Sequence, residues 1–388
     1  MEQKDACPVC KSSFVSIFLS RKNVPVQQNF IIDDKESAIS TIRGDLDLAV
    51  CESCGFIFNQ SFDLSKMKYG QHYDNTQDYS PYFESYISNL TSSLIHKKNI
   101  QNRCIVEVGC GKGSFLRRLV ENKEWGNNGY GFDPSYVGLE SDLDGRLKFE
   151  KRYYDIECSN VPAGVVICRH VIEHIPDPLT LLQTIKKTLS HSANARVFFE
   201  TPTVEWILHN KVIWDFFYEH CSYFTPESLA TLFEVAGFEV ENVEHVFNGQ
   251  YLWLEAIVCH EKPLVTKNPR NIPILAKEFG KLEQIHKKEW EIKVQELSKK
   301  GKVAVWGAGA KGVTFTNMID PECKYIECVI DLNPKKQGKY LVGTGHPIVS
   351  YRDIKTRNIK SAILMNPNYY DENLILLNKS NLHIDLIK

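Results

Sequence analysis

The sequence predicts an α/β protein with two parallel sheets of the nucleotide-binding type, preceded by a small cysteine-bearing segment. Short β-rich runs alternate with amphipathic helices from Cys104 onward, and a second alternation of this kind begins at Lys302. Each alternation opens with a strand that runs into a glycine turn. At 388 residues the chain exceeds what one hydrophobic core usually supports, so two or three domains are expected.

Composition indicates an ordinary globular protein. Hydrophobic residues make up 43% and charged residues 24%, with a net charge of -2, so no strong field attracts nucleic acid or an anionic membrane. The N-terminus lacks a basic-then-apolar signal, and no run approaches the roughly 18 apolar residues that span a bilayer. We therefore expect a cytoplasmic monomer or homodimer that binds neither nucleic acid nor membrane.

Three domains are expected along the chain. Residues 1–65 form a zinc-binding domain, and residues 66–262 form a core α/β domain with a helical lead-in over 66–100. Residues 263–388 form a linker helix and a C-terminal Rossmann-like domain.

Two CxxC pairs, Cys7 with Cys10 and Cys51 with Cys54, predict the zinc site. Each loop can direct two thiolates at one ion, and four sulfurs close a tetrahedral zinc shell with no open position. Such a site organises the fold and performs no chemistry. Because the gap of about 40 residues between the pairs is longer than usual, two pairs of reduced thiols remain the alternative.

Helix signals mark the end of the core domain and the linker. Thr225 is a hydroxyl cap, Pro226 takes the first helical position and Gly237 ends the helix; two strands should follow. Residues 264–300 are rich in lysine and glutamate and have an amphipathic helical pattern. Its apolar positions are Ile274, Phe279, Leu282, Ile285 and Trp290.

A glycine turn runs from Gly109 to Gly113, between the first core strand and a helix. Glycines let a backbone pass close beneath a ligand, and Asp133, about 20 residues further on, lies where a carboxylate can accept both hydroxyls of a ribose. The turn with this carboxylate predicts a nucleoside ligand.

The form of this turn, Glu107-Val-Gly-Cys-Gly-Lys-Gly, resembles class I S-adenosylmethionine methyltransferases, which implies their Rossmann-like core. The resemblance implies that Glu107, Gly109 and Gly111 contact the amino acid end of the cofactor and Asp133 its ribose. It further implies that Tyr154 and Asp155 contact the adenine. Arg169 and His170 are implied to lie beside the methyl group.

An adjacent carboxylate and imidazole, Glu219 and His220, follow the fifth core strand, where the substrate side of such a pocket lies. A histidine near its reference pKa of about 6.5 can accept a proton at neutral pH, and a carboxylate can fix its tautomer. The alternative is an aromatic loop with one buried histidine, since adjacent side chains of an extended segment point in opposite directions.

The segment YEHCSYFTPESL, from Tyr218 onward, resembles the EHxSYFTxxSL segment of sugar C-methyltransferases that act on nucleotide-linked keto sugars. The resemblance covers nearly the whole chain: a CxxC…CxxC domain, a methyltransferase core and a Rossmann-like last domain. It implies a deoxysugar pathway, His220 as the base that generates an enolate, Glu219 as its orienting partner and a lead-in tyrosine, Tyr79, as a helper. It also implies that Tyr218 and Tyr223 contact substrate.

The second glycine turn, Gly307-x-Gly309-x-x-Gly312, is followed by Asp331 and fits a dinucleotide fingerprint. A helix N-terminus behind glycines accepts any diphosphate, so the spacing suits NAD or the diphosphate of a nucleotide sugar. We favour the nucleotide sugar or a structural role. The expected substrate contacts here are Gly309, Lys311, Asn333 and Lys336.

The sequence thus predicts an S-adenosylmethionine-dependent C-methyltransferase that contains structural zinc and acts on a nucleotide-linked keto sugar. Sugar O- or N-methylation is the alternative within the same class. An oxidoreductase that uses NAD(P) at the second glycine turn is the alternative from another class. A nucleic-acid-reading zinc module is not favoured, because basic and aromatic residues do not cluster around its cysteines.

Overall fold

Three hydrogen-bonded sheets, of four, eight and five strands, organise the chain. The structure is a computed structural model. The residues that it describes are 6–67, 73–74, 77, 79–190, 192, 194–259, 265 and 267–388. No helix within these ranges is both long and apolar enough to cross a bilayer.

The N-terminal sheet is antiparallel and has the strand order β1-β2-β3-β10. Its elements are β1 (Val15–Pro25), α1 (Lys35–Ile39), β2 (Arg43–Cys51), β3 (Ile57–Asn59) and β10 (Ser222–Tyr223). The last strand comes from the core domain, two residues after His220. The predicted boundary at residue 65 therefore does not separate two independent hydrogen-bonded units.

The core domain has an eight-stranded sheet that is parallel in its centre and antiparallel at both edges. Its order is β11-β12-β9-β8-β4-β5-β7-β6. The elements are α2 (Pro81–Ser92), β4 (Cys104–Val108), α3 (Ser114–Val120), β5 (Asn128–Phe132), β6 (Ser141–Asp142), β7 (Leu147–Glu150), β8 (Val165–Arg169), α4 (Pro178–Leu189), β9 (Arg196–Pro202), α5 (Val204–Asn210), α6 (Pro226–Ala236), β11 (Phe238–Val246) and β12 (Tyr251–Val258).

The first core strand, β4, is central; β5 to β7 lie on one side of it, and β8 and the later strands of this sheet lie on the other side. This is the Rossmann-like arrangement that the resemblance implies. Central strands β4 and β8 are almost wholly apolar because helices cover both faces of the sheet. The carboxyl ends of β4, β5, β8 and β9 therefore lie along one edge, where a ligand can meet several strands at once.

The predicted helix after Thr225 is confirmed. Thr225 and Ser228 form a reciprocal capping box, Pro226 is the first helical residue, and Gly237 closes the helix with φ of 88°. Because that backbone conformation is strained for residues with a Cβ atom, glycine is the residue that fits here. The helix buries Leu229, Leu232 and Phe233 against the core.

The C-terminal domain begins with a long helix and continues as a parallel five-stranded sheet of order β15-β14-β13-β16-β17. Its elements are α7 (Ile272–Lys300), β13 (Lys302–Trp306), α8 (Ala310–Ile319), β14 (Ile326–Ile330), β15 (Ile348–Val349), β16 (Ile359–Leu364), α9 (Tyr370–Lys379) and β17 (Asp385–Ile387). Both predicted features, the linker helix and a second Rossmann-like sheet, are present.

Helix α7 lies against the N-terminal sheet. A Cβ atom at Gly280 would come within 1.9 Å of the Phe18 carbonyl oxygen, so the absence of a side chain allows this close approach. Phe279 is buried as predicted, whereas Ile274 and Ile285 are more than half exposed. The helix contacts two domains. Its buried residues therefore do not form the single apolar face that the spacing of its apolar positions predicted.

The core and C-terminal domains also contact each other directly. Gln250 and Asn366 exchange two amide hydrogen bonds of 2.9 and 3.1 Å. On the lead-in helix side, Ser80 donates to the Glu372 carboxylate at 2.9 Å. These residues line a cavity between the core domain, the lead-in residues and the second glycine turn.

Candidate active site

The first glycine turn lies at the carboxyl ends of β4 and β5, where the predicted nucleoside site should be. Gly109 has φ of 71°, and a Cβ atom there would come within 2.1 Å of the Val171 side chain. The amide of Gly111 donates to Asp133 Oδ2 at 2.8 Å, and the Ser135 amide donates to Asp133 Oδ1 at 2.7 Å. The turn and the carboxylate thus form one unit.

Glu107 is 3% exposed and lies at the end of β4, where it accepts from the Leu116 amide at 3.2 Å. Burial raises the pKa of this carboxyl to about 7. A Cβ atom at Gly111 would meet nothing within 4 Å, so there is open space over the turn. The Glu107 carboxylate, next to this open space, fits the ammonium group of S-adenosylmethionine. Asp133, at the same turn, fits its ribose.

The two residues implied for the adenine differ in their placement. The Tyr154 hydroxyl is 2.5 Å from Thr188 Oγ1, its ring packs edge-on against Phe132, and burial raises its pKa to about 12. The Tyr154 side chain is partly buried and packs against the hydrophobic core, and its contact with the adenine stays a prediction. Asp155 is exposed and caps a short helical turn by accepting from the Glu157 amide.

Arg169 and His170, implied beside the methyl group, both bind the buried Glu200 carboxylate. The distances from Glu200 Oε1 are 3.1 Å to the Arg169 guanidinium and 2.6 Å to His170 Nε2. Burial alone would raise the pKa of Glu200, but these two cations outweigh it and lower the pKa to about 2. Burial disfavours the His170 cation, yet Glu200 raises its pKa to about 9. His170 also has φ of 54°, a strained value for a residue other than glycine.

A cavity lies between the core domain, the lead-in residues and the second glycine turn. It contains the predicted base and helper and four of the six predicted substrate contacts, including Gly309. Residues that line it include Tyr79, His170, His220, Lys311, Asn333 and Lys336. The structure therefore brings most of the predicted catalytic and C-terminal substrate residues into one space.

His220 is enclosed by aromatic rings. Its ring centroid lies 4.2 Å from that of Phe217 and 4.7 Å from that of His174. Burial lowers the pKa of His220 well below its usual range, and the nearby charges of His174, His170 and Lys311 act in the same direction. The imidazole is neutral at pH 7 and has a lone pair that can accept a proton.

Glu219 does not contact the His220 ring. Its carboxylate accepts from the Gln28 amide at 2.5 Å and from the Tyr73 hydroxyl at 3.2 Å, and it is fully buried. Residues 218 and 219 form a turn, and of the adjacent pair only His220 lines the cavity. The prediction that Glu219 orients His220 is corrected: this carboxylate joins the core to the N-terminal domain.

Tyr218 and Tyr223 are also buried away from the cavity, contrary to the substrate contacts implied for them. The Tyr218 hydroxyl accepts from the Asp63 amide at 2.8 Å, and the Tyr223 hydroxyl donates to the Phe217 carbonyl at 3.1 Å. Among the lead-in tyrosines, Tyr73 and Tyr79 both line the cavity, and Tyr79 is 41% exposed. Tyr69 lies outside the described residues.

The second glycine turn repeats the pattern of the first. The Ala308 amide donates to Asp331 Oδ2 at 2.7 Å, and Lys336 Nζ donates to the Ala308 carbonyl at 3.1 Å. Lys311 is 2.7 Å from the Asp215 carboxylate. Asn333 is buried, and its side-chain NH₂ has no hydrogen-bond partner in the described part of the chain. These donors surround the cavity's C-terminal wall.

The four predicted cysteine ligands form one buried cluster, with their sulfurs within 4.8 Å of one another. Cys7 and Cys54 are 3.7 Å apart at their sulfurs, and Cys10 and Cys51 are 3.6 Å apart. Zinc–sulfur bonds of about 2.3 Å in a tetrahedron place sulfurs roughly 3.8 Å apart. The thiols therefore fit a zinc ion, which would join the two CxxC loops.

Glu173, His174 and Glu200 belong to the site but were not predicted in functional roles. Glu173 and His174 follow β8 and resemble residues that cap a helix, so sequence reasoning left them as structural. The position of Glu173 and His174 at the carboxyl end of β8, beside the turn predicted to bind the nucleoside, was the signal that could have identified them.

Comparison with known proteins gives two family matches. A methyltransferase domain family matches residues 82–243, and a C-methyltransferase C-terminal domain family matches residues 271–381. C-methyltransferase NovU of Streptomyces niveus is 25% identical over 375 residues, covering 89% of this chain and 86% of that protein. The chain is an S-adenosylmethionine-dependent methyltransferase. The full-length match to NovU further supports a C-methyltransferase.

Other similar proteins match smaller parts of the methyltransferase. A tRNA U34 carboxymethyltransferase of Nautilia profundicola is 26% identical over 114 residues, which cover 28% of this chain and 37% of that protein. A magnesium protoporphyrin IX methyltransferase from Synechocystis, solved with bound S-adenosylhomocysteine, has a TM-score of 0.34 and 15% identity. The match covers 46% of this chain and 84% of that one.

Proposed function

We propose that this methyltransferase transfers a methyl group to the carbon next to the ketone of a nucleotide-linked keto sugar. The observation that carries the proposal is the position of His220, a neutral imidazole in a cavity that has a glycine turn of the Rossmann type on its C-terminal side. That arrangement places a base within reach of a substrate whose diphosphate lies on the second turn.

The substrate's two ends require different residues. The diphosphate suits the amides of the second glycine turn, the Lys336 ammonium and the unpartnered Asn333 amide group. The sugar then extends toward His220 and Tyr79, which line the same cavity. This assignment favours a nucleotide sugar over NAD because the cavity continues from the turn to the base.

The chain's own chemistry is proton removal. His220 accepts the proton from the carbon beside the carbonyl, and the electron pair of that C–H bond remains as an enolate. S-adenosylmethionine, when bound by Glu107, Gly109, Gly111 and Asp133, supplies an electrophilic methyl group. The cavity that contains His220 is lined by the core domain, the lead-in residues and the C-terminal domain, and this enclosure positions the sugar against the base.

We also infer that Cys7, Cys10, Cys51 and Cys54 hold a structural zinc ion. The spacing of the sulfurs and their burial support it. With all four positions filled by thiolates, the ion has no open site for substrate, so its contribution is to the fold of the N-terminal domain.

Replacing His220 with Asn tests the mechanism. We expect turnover with a panel of nucleoside diphosphate keto sugars to fall about 10²- to 10⁴-fold, because general base catalysis contributes that much. Solvent deuterium exchange at the carbon beside the ketone should fall equally, while affinity for S-adenosylhomocysteine stays unchanged. If the wild-type enzyme turns over without solvent deuterium exchange at that carbon, the methylated atom is instead a sugar oxygen or nitrogen.

A further inference from the structure

A buried carboxylate lies beside the candidate base. Glu173 is 2% exposed and belongs to a short helical turn, Ile172–His174, directly after β8. Its Oε2 atom accepts from the Thr201 hydroxyl at 3.0 Å. Its Oε1 atom has no hydrogen bond within the described residues, and the His170 Nδ1 atom is 3.5 Å away. A buried acceptor without a hydrogen bond is costly, and such groups occur at functional sites.

The carboxylate shares its position with two imidazoles. A carboxylate oxygen of Glu173 and one ring nitrogen from each of His174 and His220 lie within 4.8 Å of one another. His174 Nδ1 is 3.0 Å from the Glu219 carbonyl oxygen; since a carbonyl only accepts, Nδ1 is the donor of this hydrogen bond. One water molecule spans a separation of this size between two polar atoms.

We propose that Glu173 is the positioning carboxylate of the His220 base, stabilising through His174 or one bridging water the imidazolium that forms when His220 accepts the substrate proton. The inference rests on the proposed function. During the step the substrate C–H bond breaks, an N–H bond forms on His220, and the proton later leaves to solvent. No oxidant or reductant is needed.

The charges around His220 explain why a carboxylate is needed here. When His220 accepts the proton it becomes a cation next to positive neighbours, which is unfavourable unless a negative charge compensates it. Asp215 is paired with Lys311, and Glu219 faces the N-terminal domain. Glu173 has a carboxylate oxygen within 4.8 Å of a His220 ring nitrogen, so it is placed to compensate the new charge as well as that of His170. The titratable groups facing His220 are His170, His174, Glu173, Tyr223 and Lys311.

The test is Glu173→Gln, which keeps the side chain's shape and an oxygen that can accept from Thr201. We expect kcat to fall at least 10-fold, with the KM of the keto sugar and the affinity for S-adenosylhomocysteine unchanged. The acid limb of the kcat profile should move to lower pH, because removing a negative charge lowers the pKa of His220. Glu173→Asp retains the charge and should keep the limb in place.

Glu219→Gln is the matched control, since its carboxylate binds the amide of Gln28 rather than the histidines. Whatever its effect on kcat, the acid limb should stay where it is in the wild type. If Glu173→Gln melts at the wild-type temperature and keeps the wild-type kcat and limb while His220→Asn is inactive, Glu173 has no such role. Full activity of His220→Asn would remove the proposed function as well.

Metal content separates this arrangement from a metal site. A carboxylate and two imidazoles are also a ligand set for zinc. We expect elemental analysis of the purified chain to give one zinc per chain, lost in Cys51→Ser and retained in Glu173→Gln. Two zinc ions, one of them lost in Glu173→Gln, would overturn the proposal by making the three side chains metal ligands.

Discussion

The two glycine turns share one local design and differ in charge. In each, a loop amide donates to an aspartate at the end of the next strand, Gly111 to Asp133 at 2.8 Å and Ala308 to Asp331 at 2.7 Å. The first turn adds a buried acid, Glu107, at the end of its strand. The second adds the cations Lys311 and Lys336 on its cavity side.

The difference indicates which ligand each turn is suited to bind. Glycines and a helix N-terminus make close approach possible for many nucleotides and do not distinguish among them. A carboxylate favours a ligand with a positive end, such as a sulfonium and an ammonium, whereas lysines favour a diphosphate. Charge around the turns, more than their glycine spacing, therefore separates the cofactor site from the proposed substrate site.

The largest expected difference between the two turns is in the affinity for S-adenosylhomocysteine when Asp133 or Asp331 is replaced with alanine in separate variants. Asp133→Ala should weaken S-adenosylhomocysteine about 100-fold, because charged hydrogen bonds to the ribose and support for the turn are both lost. Asp331→Ala should leave that affinity unchanged. Calorimetry on both variants checks this, with thermal melting as the folding control. Equal losses in the two variants would show that the turns do not bind different ligands.

An effect of about 10-fold is expected from pH at the first turn alone. Because burial raises the pKa of Glu107 to about 7, the carboxylate that binds the ammonium group is progressively protonated below that pH. Affinity for S-adenosylhomocysteine should fall about 10-fold between pH 8 and pH 6. Glu107→Gln should bind weakly and lose this dependence. A dependence that persists in the variant would assign the titration to another group.

The same raised pKa gives the sign of a stability effect. A pKa of Glu107 raised in the folded state above the usual glutamate value of 4.5 means that the folded chain binds the proton more tightly than the unfolded chain. Without cofactor, stability contributed by this group should therefore decrease as pH rises from about 4.5 to about 7. Chemical denaturation of the wild type and Glu107→Gln at pH 5 and 8 measures it.

The smallest expected effect is at the second turn. Lys336→Met removes one ammonium group from the proposed diphosphate site while its stem still packs, so the KM of the keto sugar should rise about fivefold with little change in kcat. Steady-state kinetics measures both. Affinity for S-adenosylhomocysteine is the internal control, and a change there would mean that Lys336 contributes to the cofactor site.

Local signals in the sequence predicted much of this molecule. The alternation of strands and helices, the cap at Thr225 and the glycine turns depend on residues close together in the chain, and the structure contains each of them. The cysteine pairs were equally readable, because a CxxC spacing is itself a local geometry. The zinc ion and the keto sugar stay predictions.

Contacts between distant residues could not be predicted in this way. Glu219 binds backbone near Gln28, 191 residues away, and nothing in its own segment signals that partner. The aromatic neighbours Tyr218 and Tyr223 were expected to contact substrate because the family resemblance implied it. Here they pack into the N-terminal sheet and its core instead. Which side of an irregular segment faces a cavity is set by tertiary packing.

Strand β10 has a consequence for how this enzyme can be divided. It pairs with β3 of the N-terminal sheet, and it begins two residues after the candidate base. Deleting the first 65 residues would leave this strand's backbone groups without their partners and the backbone around His220 without support. Exchanging the cysteine-bearing module between related enzymes is thus an operation on the reaction centre as well as on an accessory segment.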